Sequence, residues 1–132
     1  MLYNCEVWVI NKSEMKALER RNVYMMRKVV GMKAGDEDER WSNEKLMAVL
    51  GLESVERMIQ QRRLQWVAHS ARRGEGDLTW RIMHREIEDK ESQWGRQIRE
   101  DWYQLGIDGV GAWCAAVADR AWLRQKLQSS RA

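Results

Sequence analysis

Apolar positions recur at helical spacing over most of this 132-residue chain, and Gly, Ser and Asp mark the breaks because proline is absent. At about 100° per residue, Met15, Leu18, Met25, Met26, Val29 and Val30 share one face. They predict a helix opened by Ser13, whose hydroxyl can accept a first-turn N–H, and closed by Gly31. Lys16, Arg20 and Arg27 form a basic stripe on its flank. A short helix over 43–50 follows, capped by Ser42 and stopped by Gly51, and Ser54 opens a longer one to about Arg72. Asp77 can cap a helix over 78–88, Ser92 one over 93–105 stopped by Gly106, and Asp108 a last one to about Gln128. Strand-like alternation is confined to Leu2–Ile10, and a lone strand has nothing to pair with. The pattern therefore predicts an all-α fold, a small irregular bundle of about five to six helices. The chain reads as a single domain over 1–132, with sections 1–33, 42–73 and 77–128.

Two of these helices do not fit a single apolar stripe. In the third, Val55, Met58 and Ile59 face one way, whereas Leu64, Val67, Ala68 and Ala71 face nearly the opposite way. On another side of its second half, Arg62, Trp66, His69 and Arg73 fall together at spacings of four, three and four. Guanidinium groups match phosphate oxygens in a fork and an indole offers a stacking face, so this ridge suits a nucleic-acid backbone. The competing assignment makes Trp66 core, with Arg62 and Arg73 lying along it or paired to acids. In the last helix Trp113, Ala116, Val117, Leu123 and Leu127 share a face, and Trp122 lies opposite with Ala115 and Ala118. A self-association surface or a missing intramolecular partner would account for that second face.

Composition narrows the function classes. No apolar run approaches the roughly 20 residues needed to cross a bilayer. The segment Leu2–Ile10 has no basic flank, so a signal peptide is not expected. Two distant cysteines, Cys5 and Cys114, agree with a reducing compartment, nuclear or cytoplasmic. The net charge of +3 understates local segregation: from Arg57 to Arg73 inclusive there are five arginines and no acid, while Asp36–Glu39 and Glu86–Glu91 are acidic apart from Lys90.

Catalytic and metal arrangements are not expected. Cys5, His69, His84 and Cys114 lack paired ligand spacing, and Cys114 reads as a packing residue. There is no G-x-S-x-G and no complete glycine-rich phosphate loop. The acid pairs Glu100–Asp101 and Asp36–Asp38 read as surface groups. Residues 42–66 can be drawn as a helix-turn-helix, but Val55, Met58 and Ile59 look buried where base contacts would fall, so backbone binding fits the charge better.

Several segments, in order, resemble the region after the polymerase core of non-LTR (LINE-type) retrotransposon reverse transcriptases. Tyr3-Asn4-Cys5-Glu6-Val7-Trp8 is similar to the family's Y-G-x-E-x-W opening. Arg62-Arg63-Leu64-Gln65-Trp66-Val67-Ala68-His69, ending in Arg72-Arg73, resembles its R-R-L-x-W-x-G-H-x-x-R motif. Trp94, Ile98 and Asp101 resemble a W-x-x-x-[VI]-x-x-D helix, Gly106 its closing glycine, and Asp119-Arg120 with Trp122 a terminal D-R-x-x-W element. Ala68 and Asn4 stand where the family has glycine, and Glu88-Asp89-Lys90-Glu91-Ser92 replaces a basic, proline-rich linker. No segment resembles the palm motif with paired aspartates. The resemblance implies a detached thumb and post-thumb segment that cannot perform polymerase chemistry and needs no cofactor. One surface of the third helix would have packed on the missing palm. Contacts to an RNA/DNA primer-template backbone would come from Arg62, Arg63, Trp66, His69, Arg72 and Arg73, and secondarily from Lys16, Arg20, Arg27 and Lys28. The other implied partners are the polymerase core of the same element and a second copy of the chain. The alternative is a helical protein-interaction domain, or a functionless one, without nucleic-acid affinity.

Overall fold

The computed structural model describes residues 3–31 and 41–129, so the acidic run Asp36–Glu39 lies outside the described residues. Seven α-helices occur among them: α1 (Lys12–Val29), α2 (Asn43–Leu50), α3 (Val55–Arg73), α4 (Leu78–Glu88), α5 (Gln93–Gln104), α6 (Val110–Val117) and α7 (Arg120–Ser129). There is no strand among the described residues, and the alternating segment near the start contains a 3-10 turn, Cys5–Val7. No described helix is long and apolar enough to cross a membrane.

The helix starts follow from local hydrogen bonding. Ser42, Ser54, Asp77 and Ser92 each accept a first-turn N–H, from Lys45, Arg57, Trp80 and Gly95 in turn. The cap of α1 is Asn11, not Ser13. Asn11 Oδ1 accepts from Glu14 N at 2.9 Å while Glu14 Oε2 accepts from Asn11 N at 2.9 Å, a reciprocal pair that Ser13 has no acid placed to complete. The expected last helix is two, because Asp119 accepts from the N–H groups of Ala121 and Trp122 and thereby starts α7 afresh. This break raises the helix count above the expected five to six. It also turns Trp122 inward, half-buried and edge-to-face with Trp113, so the expected second face of that helix does not form.

The chain divides into two compact units, residues 1–9 with 59–132, and residues 10–58. In the first, Leu64, Val67, Ala68 and Ala71 of α3 are buried in a cluster with Trp80, Met83, Ile87, Ile98, Trp102 and Trp113. Trp102 and Trp113 stack with centroids 5.2 Å apart. Helices α4 and α5 approach so closely that a Cβ on Gly95 would lie 2.1 Å from the Glu86 carbonyl oxygen. The second unit pairs α1 with α2, and Met26, Leu46 and Val55 are buried. The opposed apolar sets of α3 are thus both covered: Val55 and Ile59 are as buried as Leu64 and Val67, and Met58 is half-buried.

Candidate nucleic-acid interface

The ridge on α3 is partly dismantled by the fold. Trp66 is half-buried, packed against the core and edge-to-face with Trp94 at 6.1 Å, so its face is not a free stacking platform. Trp94 in turn donates its indole N–H to the Glu6 carbonyl at 2.9 Å. Arg62 is exposed but hydrogen-bonds Cys5, whose thiol is pushed up by burial and by Glu6, with Arg62 opposing the rise. His69 is exposed. Arg73 is 61% exposed and pairs with Asp77 at 2.9 Å, an arrangement that leaves most of its surface in solvent.

Arg63 is a correction to the expected contact set. Its Nε meets Asp101 Oδ2 at 2.8 Å, its Nη1 donates to Gln97 at 2.8 Å, and its side chain is only 12% exposed. Asp101 also accepts from Gln60 at 3.1 Å. It is therefore an interior acid, not the surface group its charged neighbourhood suggests. Burial raises its carboxyl above the ordinary range, Arg63 and Gln60 pull it back, and Glu100 adds to the rise. Arg72 is half-buried, and its Nε donates to the Val117 carbonyl at 2.6 Å. Desolvation and then the neighbouring Arg120 charge lower its pKa.

On α1, Arg27 is tied to the start of α2 by its Nη2, which donates to Trp41 O at 2.8 Å and Asn43 Oδ1 at 2.9 Å. Lys28 sits over the Tyr24 ring, 5.0 Å from its centroid. Lys12, Lys16 and Arg20 are exposed, one turn apart, and none makes an ion pair among the described residues. The acids of α1 are engaged: Glu14 closes the capping box, and Glu19 accepts from the Glu56 N–H at 3.1 Å. Lys12 extends the row that the sequence marks at Lys16 and Arg20, and its i, i+4 spacing was the available signal.

His84 meets Glu75 and Glu88 through its two ring nitrogens, yet no group of three or more His, Cys, Asp or Glu side chains is arranged to hold a metal among the described residues. Cys114 is half-buried against the core, its thiol pushed up by burial and then by Glu75. The chain matches no protein-family model, no curated protein and no solved structure at a significant level.

Proposed function

We propose that this chain is a non-catalytic segment that binds the phosphate backbone of nucleic acid, in the manner implied by its resemblance to the thumb and post-thumb region of non-LTR reverse transcriptases. The observation that carries the reading is the row Lys12, Lys16 and Arg20, solvent-facing and without ion pairs among the described residues, on a helix whose acids are already engaged. Such a row can trade released counterions for phosphates without first breaking an internal pair. On α3, the exposed Arg73 would add a phosphate contact through the surface that its pair with Asp77 leaves in solvent. In further support, three of the segments that carry the resemblance meet through Trp94–Glu6, Trp66–Trp94 and Arg63–Asp101.

The test is an RNA/DNA primer-template titration at several salt concentrations. Lys16→Gln with Arg20→Gln is expected to weaken binding and to lower the slope of log K against log salt by roughly 1.5, about 0.7–0.9 for each phosphate no longer neutralised. Affinity and slope equal to those of the unaltered chain would refute the reading. A competing interaction-domain reading draws on Leu78 and Ile82, which are 67% and 56% exposed one turn apart on α4. Flat titrations combined with concentration-dependent sedimentation would favour it.

A further inference from the structure

A groove of about 290 Å³ between α3 and α7 is lined by Arg72, Arg120 and Arg124 together with Gln61, Gln65 and Gln128, and no acid lines it among the described residues. Leu123 and Leu127 form its apolar floor. Neither Arg120 nor Arg124 makes an ion pair among the described residues. Arg72 is held by its Nε bond to the Val117 carbonyl, a bond that leaves its terminal amino groups uncommitted. The Gln61 amide nitrogen is enclosed and has no acceptor among the described residues. That leaves an unmet donor at the edge of the groove. The volume exceeds that of several waters at about 30 Å³ each, enough for a tetrahedral oxyanion with part of its shell.

We propose that this groove is a phosphate site: Arg120 and Arg124 supply charge from one wall, and the anchored Arg72 donates from the other. Three guanidinium groups gathered without a carboxylate repel one another, and an anion between them converts that repulsion into charge-assisted hydrogen bonds. Anchoring of Arg72 by a main-chain carbonyl fixes its donors in advance, which reduces the entropy cost of binding. Arg120 and Arg124 are one turn apart, and the break at Asp119 starts the helix that presents both beside α3. The inference deepens the backbone-binding reading by placing one phosphate at a particular point, and the same chemistry would also serve a free phosphate.

The full chain is titrated with inorganic phosphate against sodium chloride at matched ionic strength, with the Gln61 amide and Arg72 Nε resonances as readout. The same samples are then titrated with a primer-template duplex. Arg120→Gln with Arg124→Gln is compared with Arg81→Gln plus Arg85→Gln, which removes equal charge from α4. Phosphate should shift both resonances in the unaltered chain and in the α4 variant, but not in the groove variant. If the phosphate is that of a nucleic acid, the groove variant should lose about tenfold in duplex affinity and about 0.7–0.9 of salt slope, beyond any change in the α4 variant. Phosphate shifts with duplex affinity independent of the groove, or with no duplex binding, establish the site for free phosphate. No duplex binding at all sinks the backbone reading by itself. Absent phosphate shifts, together with groove and α4 variants that behave alike on duplex, overturn the site while leaving the backbone reading standing.

Discussion

Arg63 and Asp101 show how a residue's role turns on its surroundings more than on its type. In sequence, Arg63 sits in an arginine cluster and Asp101 beside Glu100, so both read as solvated. In the fold both are enclosed, and each is the other's main compensation for the water it gives up. Replacing Arg63 by Met leaves Asp101 buried without its cation. At neutral pH the expected loss is about 3–5 kcal/mol of stability, while Arg63→Met with Asp101→Leu should recover most of it. The sign of the pH dependence follows from the raised Asp101 pKa. A carboxyl whose folded-state value lies above its unfolded value stabilises most below the unfolded value, and that contribution is lost as pH rises through the folded one. Arg63→Met removes an influence that lowers the value, so the window widens upward and the variant should regain stability as pH falls toward about 4. Urea melts at pH 4 and pH 7 check this, and a deficit equal at both would show that the ion pair is not the source of the deficit. Nothing in a single sequence marks which arginine of a cluster turns inward, since that depends on α5 lying opposite.

At the scale of elements, helix starts were the most legible feature, because capping is a local matter of one side chain and the next turn. Ser42, Ser54, Asp77 and Ser92 cap where the sequence places them. Asn11 displaced Ser13 through its pairing with Glu14, and Asp119 interrupted what periodicity alone joins, since apolar spacing continues across the break. Gly95 was not legible at all. It lies in the first turn of α5, where glycine has no local advantage, and its reason is the α4 backbone facing it. Gly95→Ala would drive a methyl group into the Glu86 carbonyl, and main chain yields less readily than a flexible side chain. The expected cost is about 1–3 kcal/mol, with α4 displaced from α5. Thermal melts together with near-ultraviolet dichroism from the Trp80 and Trp102 environments measure both effects. A variant as stable as the unaltered chain would mean that the two helices are not held at this separation.

Across the whole molecule, burial is unevenly shared between the two units. The unit of residues 1–9 and 59–132 encloses Trp80, Trp102 and Trp113 with α3, α4, α5 and α6 packed around them. The unit of residues 10–58 encloses Met26, Leu46 and Val55, while Tyr24, Met25, Val29 and Val49 stay exposed. Less enclosed apolar surface means a smaller free energy of local opening. Amide hydrogens of α1 and α2 should therefore exchange well before those of α4 and α5, as peptide-resolved mass spectrometry would show. A common opening free energy for all four helices would refute this account of burial. The same measurement bears on function, because the row Lys12, Lys16 and Arg20 lies in the weakly held unit. A ligand that binds only the folded form adds RT ln(1 + [L]/Kd), about 2.7 kcal/mol at a hundredfold excess over Kd. Saturating primer-template should then slow exchange in α1 by about a hundredfold, with α4 and α5 almost unchanged. Protection confined to α7 and the second half of α3 would locate binding in the arginine groove alone, and α1 would have no part in holding the duplex.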